Sequence, residues 1–439
     1  MQEADTKQHL EKKLGPWMLW GLGVGYVISG MYFGWNLGLP KGGTLGLGIA
    51  TLFIIVMYVT FTFSYTELAA SIPKAGGAFD YASEGLGKEL GFLAGVAQIV
   101  EFVFAPPAIA SAIGAYISAF LPPQLHATLY IAVIAYFIFT ALNVYGVQAA
   151  ASFELVITIF AVFELLLFAG VTLPHFQWEN VTKNSFPHGY AGIFAAIPFA
   201  IWFFLAIEGV ANVAEETINP QRNILLGFGS AILTLVILCI LTFVSSIGVD
   251  GWESIVYPPG STKPSNSPLL LALGKIVKEG HVLYHLLVTV GLFGLVASFH
   301  GIILAAGRAT YEFGKAGYAP SALGEIHPKY KTPAKALLVN MAVGIVALFT
   351  GKTDEIITIA CFGALTLYII SMLALFALRK KQPDLERPFR VPFYPFFPAI
   401  ALSIAVFSLF AMAYYNLYLG LIFLLILLVT YLYFRHAQR

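Results

Sequence analysis

Residues 198–223, PFAIWFFLAIEGVANVAEETINPQRN, are an apolar helical run with one carboxylate, Glu208, set in its middle beside Gly209. An ionisable group is costly inside hydrocarbon, and where one occurs it faces a cavity or a transport pathway. Glu208 is therefore expected in the binding centre of a membrane transporter, and the rest of the chain is read around that expectation.

The composition supports it. Hydrophobic residues make up 59% of the sequence and charged residues 11%, which excludes an ordinary water-soluble domain and predicts a polytopic membrane protein. The formal net charge of +1 gives no argument for nucleic acid or for an acidic partner. Cys239 and Cys361 both fall inside apolar segments, where single buried thiols are expected rather than a disulfide. The first thirteen residues are polar and the first apolar run outlasts a signal core, so no cleavable signal is expected.

Apolar segments long enough for a hydrocarbon core of about 30 Å occur at 17–39, 44–70, 91–120, 127–147, 151–173, 191–213, 224–248, 284–311, 334–350, 355–378, 395–417 and 419–434, twelve in all. With an internal N-terminus, the external connections hold Lys41, Lys183, Lys263, Lys275, Lys278 and Lys352, and the other eighteen of the 24 basic residues lie inside. The positive-inside rule then predicts a cell-membrane protein with both termini cytoplasmic. Residues 249–283 form a long external loop expected to carry a short helix over the transport mouth. Residues 379–395, RKKQPDLERPFRVPFYP, form a basic, proline-punctuated internal joint before the last two spans.

Span 1 carries Ile28-Ser29-Gly30-Met31 at its middle, and span 6, five spans later, carries Ala206-Ile207-Glu208-Gly209. Transporters built from inverted repeats bind substrate where corresponding helices are interrupted near the midplane, so spans 1 and 6 are the pair expected to break. Gly30, Gly34 and Gly38 recur every four residues, a pattern that also serves close helix packing. Phe204, Glu208 and Asn212 share a face of span 6 if it is a continuous helix. Glu101 in span 3 is a second intramembrane acid, followed by Pro106-Pro107, which should disturb that helix. In span 5, Glu154 is expected near the cytoplasmic end and wet, whereas Glu164 serves as a relay or as an interhelical bond. His300 in span 8 is a satisfied interhelical donor or a proton carrier.

Several of these residues match a known family. The chain resembles the amino acid/polyamine/organocation superfamily of secondary transporters over nearly its full length. Ile28-Ser29-Gly30-Met31-Tyr32 stands where that family unwinds at Gly-Ser-Gly, and Phe204-Leu205-Ala206-Ile207-Glu208 where it has Phe-x-Gly-x-Glu/Asp. Asn219-Pro220-Gln221-Arg222-Asn223 matches its signature after span 6, and Arg387-Pro388-Phe389-Arg390-Val391-Pro392 the one before span 11. The resemblance implies an all-α fold of 12 transmembrane helices. Two inverted five-helix repeats, about 17–173 and 191–378, make a transport core within 1–394, and two extra helices occupy 395–439.

Two departures bear on the substrate. Amino acid members present the amides of the span 1 break to the substrate carboxylate, but the first glycine of that triplet is Ile28 here. The acids Glu208 and Glu101 remain, with Trp202, Tyr32, Phe203, Phe204 and Trp35 as faces for an ammonium. The wording of MYFGWNLGL, EFVFAPPAIA and FFLAIEGVAN is similar to the ethanolamine permease branch. The position of the span 5 lysine found in proton-coupled members is Ala161, so coupling falls to protonation of Glu208, Glu101 or His300, with Glu164 as a possible relay, or to a sodium ion near Ser298 and the break in span 1.

The resulting expectation is import of a small protonated amine, ethanolamine above others, by alternating access with a proton or sodium ion. An amino acid permease of neutral or cationic substrates is the alternative. The expected substrate contacts are Ser29, Gly30, Met31, Tyr32, Glu101, Trp202, Phe204, Ile207, Glu208 and Asn212. Trp202 or Tyr32 would cover the substrate, and spans 1, 2, 6 and 7 would rock against the rest. No metal-ligand spacing, nucleophile-base arrangement or phosphate-binding loop appears, so no enzyme, cofactor or metal is expected, and the lipid bilayer is the remaining partner.

Overall fold

The computed structural model describes residues 14–74, 76–125, 127–146 and 150–437. The regular elements among these residues are helices, joined by turns and extended segments. In order the helices are α1 Pro16–Val27, α2 Ser29–Tyr32, α3 Leu39–Ser71, α4 Ala78–Leu86, α5 Lys88–Ser118, α6 Thr128–Tyr145, α7 Ala150–Thr172, α8 Trp178–Thr182, α9 Ala191–Ala195 and α10 Ile197–Trp202. They continue with α11 Pro220–Asp250, α12 Trp252–Val256, α13 Pro268–Gly274, α14 Val282–Lys315, α15 Ala334–Phe349, α16 Thr353–Lys381, α17 Phe396–Tyr415 and α18 Leu417–Ala437.

Nine helical stretches among the described residues are long and apolar enough to cross a membrane, and Ala334–Phe349 is a shorter apolar helix. Of the three expected spans outside those nine, 334–350 is that shorter helix, and 17–39 and 191–213 lack a continuous helix because both are interrupted. Large apolar side chains such as Phe137, Phe163, Leu233, Phe410, Leu424, Leu425 and Leu428 point outward. That is the surface a bilayer solvates, since lipid satisfies apolar groups and leaves backbone polar groups to pair within helices. Cys239 and Cys361 are buried free thiols.

Two expectations about local structure change. Pro106 and Pro107 lie inside α5, which stays one helix from Lys88 to Ser118. The disturbance stays local: the prolines remove the amides that would reach the Phe102 and Val103 carbonyls and crowd those carbonyls with their rings, without ending the helix; the hydroxyl of Ser111 donates to the Pro107 carbonyl at 3.1 Å. Glu154 is buried at 1% exposure rather than wet, because α7 packs that turn against α1 and α14. The long 249–283 loop does carry short helices, α12 and α13, and Asn36 donates from Nδ2 to the Ser265 carbonyl at 2.8 Å. The loop thus closes over the stretch that follows α2.

The opposite end of the bundle is held by one carboxylate. Glu67, near the end of α3, receives Arg379 Nε at 2.7 Å and Nη2 at 2.6 Å, Arg387 Nε at 3.3 Å and the Val391 amide at 2.7 Å. The Arg379 guanidinium also lies over the Tyr394 ring, 4.1 Å from its centroid. The expected joint 379–395 is therefore folded inward onto α3. At the same end Leu14 donates its amide to the Glu216 carbonyl at 3.0 Å and accepts from the Ile218 amide at 2.9 Å. These bonds strap the entry of α1 to the chain that follows span 6.

Candidate functional site

The break in span 1 has two parts. At the first, Ser298 of α14 inserts its hydroxyl into the backbone ladder, donating to the Gly25 carbonyl at 2.6 Å and accepting from the Ser29 amide at 2.9 Å. A side chain that replaces an i→i−4 bond is a recognised cause of helix interruption. Ile28 nonetheless keeps right-handed helical angles, φ −59° and ψ −24°. The larger departure comes five residues later than the sequence suggested, where Phe33 is extended and Gly34 takes φ +88°. Only glycine adopts that angle without steric cost.

The break in span 6 lies between Trp202, where α10 ends, and Ile207, where a 3-10 segment runs to Glu216. Ala206 stands at φ +75° in the left-handed region, costing roughly 1–2 kcal/mol for a residue with a Cβ. Its amide is freed from the helix and donates to Glu101 Oε1 at 3.1 Å.

The two breaks touch. A Cβ at Gly30 would meet the Trp202 carbonyl at 2.5 Å, and one at Gly34 would strike the Trp202 indole. Trp202 donates from Nε1 to the Phe33 carbonyl at 3.0 Å. Gly38 lies against Phe199, so the glycine stripe in span 1 packs along α10. Trp35 stacks on Phe203 with centroids 5.6 Å apart, and its indole donates to the Met31 carbonyl at 3.0 Å.

Glu101 and Glu208 face each other across this junction, both fully buried. Glu208 Oε2 accepts from the Tyr368 hydroxyl at 3.0 Å. Tyr368 in turn lies 3.1 Å from the Tyr58 hydroxyl, and Phe204 packs on the Tyr58 ring at 5.2 Å. Glu208 Oε1 and Glu101 Oε2 have no hydrogen-bond partner among the described residues. Two carboxyl groups, each with an open acceptor and enclosed by aromatic rings, can receive an ammonium group or hold a proton between them.

The remaining predicted residues divide. Phe204, Glu208 and Asn212 do not share one face, because the stretch is a turn followed by a 3-10 segment, in which residues four apart are no longer stacked. Phe204 faces α3 and Glu208 faces α16, whereas Asn212 accepts from Gln98 Nε2 on α5 at 3.3 Å. Ile207 packs toward Gly23 of α1. Tyr32 turns away from the carboxyl pair, donating to Glu164 Oε2 at 2.7 Å and to the Ala161 carbonyl at 3.0 Å. Glu164 thus makes the interhelical bond that was one of its two expected roles. His300 sits apart from the junction, with Nδ1 3.8 Å from Glu154 Oε2. Sequence reasoning missed Tyr58, Tyr368 and Gln98. Gln98 carried a signal, lying one turn before Glu101 on α5, and the tyrosines carried none.

Interrupted helices meeting at a buried carboxyl pair inside a multi-pass helical bundle define a membrane transporter and not an enzyme. The chain belongs to the amino acid permease family, whose model matches residues 14–431. It is 29% identical over 423 residues to an uncharacterized transporter of Rhizobium meliloti, covering 94% of this chain and 88% of that one. It is 25% identical over 451 residues to the branched-chain amino acid permease BcaP of Bacillus subtilis, covering 97% and 93%. It is 26% identical over 385 residues to the low-affinity putrescine importer PlaP of Escherichia coli, covering 84% and 82%.

Proposed function

We propose that this transporter recognises its substrate through an ammonium group received by Glu208, with Glu101 beside it, and imports it by alternating access. The observation that carries this reading is the open oxygen on each of the two buried carboxyl groups. A desolvated carboxylate is expensive without a cation, so loading by substrate or proton relieves a cost that the empty site bears, and that difference biases the opening equilibrium. The same two groups can hold a proton in place of the substrate, which keeps the empty site from carrying two bare charges. The orientation goes with it: termini cytoplasmic, inverted repeats about 17–173 and 191–378 forming the core within 1–394, and 395–439 an appended pair of helices.

Within that reading we favour a small amine lacking a carboxylate, with ethanolamine as the test compound. Three amides at the breaks are already engaged and so are withheld from a substrate carboxylate: Ser29 with Ser298, Gly34 with Asn36 Oδ1 at 3.0 Å and Ala206 with Glu101. The second reading, an amino acid permease, draws its support from relatives such as the branched-chain permease, and the comparisons weigh toward it. Counterflow in proteoliposomes separates the two. Labelled ethanolamine exchanging while serine and leucine compete at least tenfold more weakly, about 1.4 kcal/mol, supports the amine. Serine or leucine displacing label at comparable concentration assigns the amino acid permease.

A further inference from the structure

A second pair of ionisable side chains lies away from the substrate junction. Glu154 on α7 is 1% exposed and His300 on α14 is 8% exposed. Their nearest approach, 3.8 Å between His300 Nδ1 and Glu154 Oε2, is an ion-pair distance too long for a hydrogen bond. Neither oxygen of Glu154 has a hydrogen-bond partner among the described residues.

The carboxylate rests directly on the N-terminal half of the interrupted span 1. A Cβ at Gly25 would stand 2.6 Å from Glu154 Oε1 and 2.8 Å from Thr158 Oγ1. Thr158 donates to the Gly21 carbonyl at 3.2 Å, and Gly25 gives its own carbonyl to Ser298. Among the described residues, the ionisable groups closest to this pair on the surrounding elements are Tyr26 on α1, which meets Glu154 Oε1 around Gly301 of α14, and the Arg308 and Glu216 side chains at the same end. Arg308 is committed to Glu216 at 2.8 Å. The α6 side nearest His300 presents the Phe139 ring, 6.2 Å away, and α11 has no ionisable residue between Arg222 and Cys239. His300 is thus the basic side chain placed to answer Glu154.

A buried carboxylate kept only for structure would be saturated, as Glu67 is in this same chain. One left without donors, beside an imidazole and against the half-helix that begins at Pro16, is arranged to exchange a proton. We propose that Glu154 and His300 form a proton-binding site, distinct from the Glu101–Glu208 pair, whose occupancy holds the α1 end of the bundle closed. With one proton on His300 the pair is neutral and tolerates burial. When that proton leaves to water, imidazole and carboxylate together carry one uncompensated negative charge, which favours a conformation that wets it.

This inference rests on the transport reading, and its test keeps the two apart. The full chain and its Glu154→Gln and His300→Gln variants are reconstituted in proteoliposomes with labelled ethanolamine and labelled leucine, and internal pH is followed with an entrapped dye. Exchange at equal pH is expected to stay within about threefold of the unmodified protein, whereas accumulation and internal acidification driven by an acid-outside gradient fall about tenfold or more in both variants. Gradient-driven accumulation equal to the unmodified protein in either variant overturns the proposal. So does an equal loss of exchange and accumulation, the mark of a structural pair. If Glu154→Gln does not fold, His300→Gln carries the same comparison. Independently of any substrate, the detergent-solubilised unmodified protein should take up about one proton more per chain than a folded variant on a downward pH step, and equal uptake also overturns the site. Absence of counterflow with either label counts against the transport reading, while the proton count still decides the site.

Discussion

Glu67 and Glu208 are both buried carboxylates on membrane-crossing stretches of this chain, and they are built in opposite ways. Glu67 takes donors from two guanidinium groups and a backbone amide, so that both oxygens are filled. Glu208 has one tyrosine hydroxyl on Oε2 and an empty Oε1, and it faces a second acid with the same deficit. Burial therefore does not separate a structural charge from a working one. Saturation does, because a polar atom left unpaired in the interior costs free energy that only a ligand or a proton can return.

The comparison can be broken at either end. The largest effect is expected from Glu67→Ala, which leaves Arg379 and Arg387 without their acid. Removing one partner of a buried ion pair costs about 3–5 kcal/mol, so thermal melts in detergent should fall sharply; an unchanged melting temperature would mean that water already screens the cluster. Glu208→Gln is expected to do the reverse, keeping the melting temperature while substrate binding and uptake drop at least tenfold, about 1.4 kcal/mol or more. Near-normal uptake would remove Glu208 from the site. Smaller still is Tyr368→Phe, which deletes the single donor to Glu208 and should weaken binding by about 0.5–1.5 kcal/mol without unfolding the protein. Binding identical to the parent would show that the hydroxyl does not position the carboxylate. The smallest effect sharpens the comparison from the backbone side. Ala206→Gly relieves a left-handed residue whose amide serves Glu101, and should raise stability by up to about 1 kcal/mol; a lower melting temperature would mean that the Ala206 methyl packs better than its backbone suffers.

Much of this was legible in the sequence. Apolar runs marked the membrane segments because hydrocarbon demands them, and the acids at 101 and 208 stood out because hydrocarbon forbids them. The interrupted character of spans 1 and 6 followed from small and polar residues at midspan. Other features were hidden for physical reasons. The face shared by Phe204, Glu208 and Asn212 presupposed the helix that the break removes. Glu154 lies near a span end, where water is the default, and only the packing of α1 and α14 over it makes it buried. Tyr58 and Tyr368 look like any other aromatic residues on apolar helices until the fold brings them 3.1 Å apart.

The Glu67 knot also sets a problem in time. Its principal partner, Arg379, lies 312 residues further along the chain. At synthesis rates of about 5–20 residues per second, that arginine emerges roughly 15–60 s after Glu67. Throughout that interval α3 is already made while its carboxylate has no guanidinium to meet. The end of α3 must therefore wait in contact with water or with the machinery that inserts it, and the bundle can be drawn shut at this end only once the tenth span has arrived.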